Sequence, residues 1–127
     1  MSGALLDTSV VIAGEETLDL PEKTAISVVT IGELRAGILL AKTSAARGSR
    51  QARLVAIRDA FEPLPIDEAV AESYGEVLAT ARAERRITTA TDLLIIATAA
   101  ATGRSLHTLD RRQAKLAGEL GVATSPG

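Results

Sequence analysis

Residues 4–13 read ALLDTSVVIA: three apolar residues, an acid, two hydroxyls and a second apolar run. Ala4 to Leu6 form a short buried strand. Asp7, Thr8 and Ser9 are residue types that cap helices, and the stretch from Asp7 onward starts one. The rest of the chain repeats this alternation. TAIS (24–27) is a second strand, and Ser27 is the N-cap of a helix running to about Lys42. Residues 43–61 form another helix, with arginines on one face and Leu54, Ile57 and Phe61 on the other. EPLPI (62–66) fits only a short or edge strand, because Pro63 and Pro65 have no N–H to give a ladder. Asp67 caps a long amphipathic helix, Thr91 opens the helix through Asp92, and Gly103 ends it. SLHTL (105–109) is a strand, residues 110–121 a helix, and VAT (122–124) a last strand. Strand and helix alternating at this spacing predict one α/β domain over residues 1–127.

Composition agrees. The chain is 46% hydrophobic but 2% aromatic, so Leu, Ile, Val and Ala build the core, as suits a parallel sheet covered by helices. It has no cysteine, which excludes disulfides, thiolate metal sites and cysteine nucleophiles. The N-terminal stretch lacks a basic segment and meets Asp7 early, so no signal peptide is expected. No apolar stretch approaches the ~20 residues of a membrane span, and a cytoplasmic protein is expected. With 11 Arg against three Lys and a net charge of −2, any nucleic-acid contact must rest on a local basic patch or on metal ions.

In an open α/β sheet, ligands gather at the carboxyl ends of the strands. Two acids fall there: Asp7 after the first strand and Asp110 after SLHTL. Each has a structural alternative. Asp7 can cap the helix that follows it, and DRRQ (110–113) fits a capping box. Glu33 is different. Its helical neighbours are Val29, Thr30, Ala36 and Gly37, an apolar and small face that leaves room for an approaching group. Asp92 lies in a first helical turn, where the dipole favours an acid, yet Leu93 to Ile96 imply burial immediately afterwards.

Converged at one end of the sheet, these four carboxylates would repel one another. Mg²⁺ or Mn²⁺ would relieve that repulsion, since hard cations take carboxylate and water ligands. A zinc site is excluded, because His107 is the lone histidine and reads as structural. A receiver-type phosphoacceptor module is also α/β, acidic and Mg²⁺-dependent. It would want two adjacent acids after its first strand and a well-placed lysine, which this chain lacks. A non-catalytic module of the same fold remains the other alternative. A dinucleotide-binding domain fails for want of a G-x-G-x-x-G after a strand.

LLDTSVVIA, ISVVTIGELRAGI, TTATDLLIIATAAATG and LHTLDRR, in this order and spacing, resemble a PIN domain, and more narrowly the VapC ribonuclease toxins of bacterial toxin–antitoxin systems. The resemblance spans the whole chain. It implies a three-layer α/β/α sandwich with a central parallel sheet and a Mg²⁺- or Mn²⁺-dependent endoribonuclease acting on tRNA or rRNA. It also implies a homodimer, inhibited by a VapB-type antitoxin whose tail enters the active site. Carried over by motif, Asp7, Glu33, Asp92 and Asp110 are the catalytic, metal-binding acids. Thr8 or Ser9 is the hydroxyl beside the first acid, and Thr108 the hydroxyl before the last. One departure stands out. Many PIN domains end on T-x-N-x-x-D-F, whereas here Asp110 occupies the Asn position and Gln113 the Asp position, which predicts a less direct metal role for Asp110. Arg82, Arg85 and Arg86 precede the Asp92 motif, and Arg111 and Arg112 follow Asp110. These five are the candidates for holding RNA phosphates, or else they form an ordinary solvated face.

Overall fold

A computed structural model describes residues 3–14 and 23–126. Five parallel strands, β1 (Ala4–Leu6), β2 (Thr24–Ser27), β3 (Glu62–Leu64), β4 (Ser105–His107) and β5 (Thr124–Ser125), lie in the order β3-β2-β1-β4-β5. Among the described residues six helices accompany them: α1 (Thr8–Ala13), α2 (Val28–Leu39), α3 (Ser44–Ala60), α4 (Glu68–Ala83), α5 (Ala90–Thr102) and α6 (Arg111–Glu119).

The period-two geometry of the strands divides the core in two. Leu5, paired with Ala25 and Leu106, buries into one cluster with Val70 and Val77 of α4, Ile95 and Ile96 of α5 and Leu116 of α6. Leu6 and Ile26 face the other way, against Val10 and Val11 of α1, Leu34 and Ile38 of α2 and Leu54 of α3. Two helical layers around one sheet give the three-layer α/β/α sandwich expected from the sequence. Pro63 sits on the outer strand β3, opposite Ile26, where its missing donor costs no ladder bond on the solvent side. Gly3 enters β1 where a Cβ would lie 1.6 Å from the Lys23 carbonyl oxygen, so only glycine fits.

Three boundaries differ from the sequence reading. α2 ends at Leu39, not near Lys42, because Thr43 must adopt extended backbone to cap α3. Thr89, not Thr91, caps α5; its hydroxyl accepts from the Asp92 amide at 3.2 Å. The last strand is Thr124–Ser125. Val122 instead gives its amide to the Ala117 carbonyl at 3.0 Å and buries its side chain in the core.

After β3 the chain crosses to the far side of β1, so β1 and β4 flank the point where the winding reverses. Crevices open at such points. The ladder there runs one residue past β1: the Asp7 amide donates to the His107 carbonyl at 2.8 Å.

Candidate active site

Asp7 is 4% exposed, and a buried carboxylate is tolerated only when donors replace its water. They do so here. Its Oδ2 accepts from the Ser9 amide at 3.2 Å, the Ser9 hydroxyl at 2.6 Å and the Thr108 hydroxyl at 3.1 Å. Asp7 is thus the N-cap of α1 and an acid at the strand end at once. Ser9 Oγ also accepts from the Leu109 amide at 3.1 Å, tying α1 to the segment after β4.

Thr8, also buried, turns toward α2. Its hydroxyl donates to Glu33 Oε1 at 2.6 Å and lies 2.9 Å from the hydroxyl of fully buried Thr30. The choice left open between Thr8 and Ser9 therefore resolves into two jobs: Ser9 serves Asp7, and Thr8 serves Glu33. Glu33 lines a cavity of about 420 Å³ with Ile12, Gly37, Arg50 and Arg53. The small neighbour Gly37 opens that space, and Arg50 is anchored on the Gly37 carbonyl at 2.6 Å.

Asp92 carries the electrostatic signature of the site. Partial burial raises its pKa above the ordinary aspartate value of 3.8, and the Asp7 carboxylate raises it further. A hydrogen bond with the Thr89 side chain lowers it, while Asp110 and Glu33 add smaller upward contributions. The other three acids thus all bear on Asp92. Among the described residues the ion pairs join Arg86 to Glu84 and to Glu119, and none reaches these acids.

Asp110 is exposed and caps α6, its Oδ1 accepting from the Arg112 amide at 2.9 Å and the Gln113 amide at 3.2 Å. The capping box is only half formed, because Thr108 Oγ1, not Gln113, takes the Asp110 amide at 3.0 Å. The Gln113 side chain, 4% exposed, is free to reach Thr108 and Asp7. Sequence reading treated Gln113 as a cap residue and missed this contact. Its place in the commoner final motif was the available signal.

A second cavity, of about 610 Å³, carries Asp92, Asp110 and Gln113 on its wall together with Arg85, Arg112 and Lys115. Lys115 was not anticipated, although it follows Arg112 at helical spacing and so shares its face. Arg86 also borders this cavity, but its guanidinium is held by Glu84 at 2.8 Å and Glu119 at 2.6 Å. Arg111 lines another recess with Thr108, Asp110 and Pro126, and Arg82 is exposed on α4. Arg85, Arg111 and Arg112 are therefore the predicted arginines that line a cavity with one of these acids and take part in none of the ion pairs found among the described residues.

The donor set is all oxygen, none of its acids is in an ion pair among the described residues, and it suits a hard divalent cation. Among the described residues no three acidic or histidine side chains stand close enough to ligate one ion together. Mg²⁺ keeps several waters and is commonly held by one or two carboxylates. The arrangement fits that mode, with the remaining acids acting through charge or water.

The PIN domain family matches residues 4–119 of the chain. Ribonuclease VapC8 of Mycobacterium tuberculosis is 48% identical over 100 residues, covering 75% of this chain and 88% of its own length. Ribonuclease VapC4 of the same organism is 39% identical over 118 residues, covering 89% of this chain and 90% of its own. Among solved structures, VapBC-5 of M. tuberculosis, a member of the VapBC family of toxin–antitoxin systems, superimposes with a TM-score of 0.86 at 34% identity over 98% of both chains.

Proposed function

The chain belongs to the PIN domain family, and from that premise we propose that it is a Mg²⁺- or Mn²⁺-dependent endoribonuclease toxin that cleaves tRNA or rRNA and so inhibits translation. The ribonuclease relatives and the toxin–antitoxin neighbour support the class of activity. The observation that carries the metal dependence is Asp92, destabilised in its charged form by burial and by three other acids, none of them in an ion pair among the described residues.

Of the four acids, Asp7 and Asp92 would hold the ion, with Glu33 and Asp110 acting through its waters or by charge; when bound, the ion would acidify a water and stabilise charge on the phosphodiester. The chain's own residues do the rest. Ser9 and Thr108 fix the Asp7 carboxylate, and Thr8 fixes Glu33. Arg85, Arg112 and Lys115 line the cavity beside Asp92 and supply phosphate contacts that position RNA without reading its sequence. One histidine cannot supply a paired acid–base mechanism.

On the same reading the partner is a VapB-type antitoxin. Its tail brings an Arg or Lys to the acids, and the toxin works as a cytoplasmic homodimer. Among the described residues no helix is long and apolar enough to cross a membrane.

The test is incubation of the purified, antitoxin-free chain with total bacterial RNA at graded Mg²⁺ or Mn²⁺, followed by sequencing of the 5′ ends. Discrete cuts in tRNA or rRNA that vanish in excess chelator are expected. Undiminished cutting after rigorous metal removal, or RNA left intact at every metal concentration, would contradict the proposal.

A further inference from the structure

The orientation of the Gln113 amide follows from a proton count. Ionised Asp7 only accepts, and a threonine hydroxyl has one proton to give. Thr108 Oγ1 lies 3.0 Å from the Asp110 amide, which donates to it, and 3.1 Å from Asp7 Oδ2, which takes its proton. The Gln113 amide group 2.8 Å from Thr108 Oγ1 must then be the donor, Nε2, and in that orientation Nε2 also lies 3.1 Å from Asp7 Oδ2 and 3.3 Å from Oδ1. The opposite orientation gains one long bond, from Nε2 to the Asp92 carbonyl at 3.4 Å, and turns Oε1 toward an acceptor-only carboxylate. The first orientation prevails.

The two oxygens of Asp7 are consequently unequal. Among the described residues, Oδ2 meets Ser9 N, Ser9 Oγ, Thr108 Oγ1 and Gln113 Nε2, whereas Oδ1 has only the 3.3 Å contact with Gln113. We infer that Gln113 is a positioning residue: its amide nitrogen, with Ser9 and Thr108, saturates Asp7 Oδ2 and leaves Oδ1 as the atom through which Asp7 takes a divalent cation. The inference rests on the metal-dependent reading above and deepens it. An acid at position 113 would set carboxylate against carboxylate; the neutral amide instead turns that position into a donor.

Gln51 and Gln113 are the only side-chain amides in the sequence. Two NH₂ groups therefore fill that region of a proton–nitrogen spectrum, and Gln51, exposed on α3, serves as the internal reference. In the metal-free full chain, the Gln113 amide is expected to exchange more slowly than that of Gln51. That protection should disappear in Asp7→Ala. A second arm titrates Mn²⁺ alone. Gln113→Met keeps the side chain's size without the donor and should weaken Mn²⁺ binding about 10–100-fold, the usual cost of losing a group that orients a metal ligand. A Gln113 amide exchanging as fast as Gln51's, or unaltered Mn²⁺ affinity in Gln113→Met, would overturn the inference. Wild-type protein that binds no Mn²⁺ yet keeps a protected Gln113 amide would instead overturn the metal reading and leave the Gln113–Asp7 bond standing.

Discussion

Asp7 and Asp92 meet burial in different ways, and their substitutions should differ accordingly. Asp7 is compensated by hydrogen-bond donors; Asp92 is burdened by its surroundings. A raised folded pKa means the folded chain holds a proton more tightly than the unfolded one. The Asp92 contribution is therefore most favourable below its ordinary value of 3.8 and is lost as pH rises through the folded value. Asp92→Asn should thus leave the metal-free thermal midpoint unchanged or higher at neutral pH, and the advantage should shrink on acidification, while RNA cleavage is lost. Glu33→Gln should likewise abolish cleavage with no loss of stability. Asp110→Asn keeps the cap on α6 and should retain more activity than Glu33→Gln, whereas Asp110→Ala should cost about 0.5–2 kcal/mol. His107 shows the opposite sign. Burial lowers its pKa, so the unfolded chain takes up the proton first and stability falls as pH drops below 6.5. Thermal melts of His107→Gln between about pH 7 and 5 should show a flatter pH dependence than wild type. At this scale the acids were legible because each breaks a local pattern: a charge after a strand, or on an apolar helix face. Gln113 was not, because a glutamine three residues after an aspartate satisfies the capping pattern and gives no sign that its side chain points elsewhere.

Three helices serve the site through their first turns. α1 starts on Asp7, α6 on Asp110, and α5 brings Asp92 into its first turn through the Thr89 cap. Thr89→Ala should cost about 0.5–2 kcal/mol and lower cleavage further than its loss of stability explains, because the Asp92 backbone loses its anchor. Comparing thermal midpoint with initial rate separates the two effects. Element types were readable because cap residues, the Gly103 stop and the Pro63–Pro65 pair punctuate the apolar runs. Ends were misread where two hydroxyls competed, as Thr89 and Thr91 do, or where the following cap decided the matter, as Thr43 does for α2.

For the whole molecule, a net charge of −2 conceals a local arrangement in which Arg85, Arg112 and Lys115 border the cavity that carries Asp92 and Asp110. Replacing Arg112 or Lys115 with Gln should weaken binding of unrelated RNAs alike and lower the salt-dependence slope by about 1 per cation removed, measured with Ca²⁺ in place of the catalytic ion. Arg86→Gln should change that slope less, since Glu84 and Glu119 already hold its guanidinium. The sandwich was legible from alternating strands and helices with no aromatic core. The pairing of Arg86 with Glu119 and the meeting of Thr8 with Glu33 were not, because both join residues far apart in sequence. The central claim, that Asp7 and Asp92 face a divalent cation, is tested most directly by anomalous scattering from crystals of the chain soaked in Mn²⁺. The account predicts a Mn²⁺ peak beside Asp7 Oδ1 and the Asp92 carboxylate in wild type and none there in Asp92→Asn. A wild-type map with no peak at these acids, at Mn²⁺ concentrations that support cleavage, would contradict it.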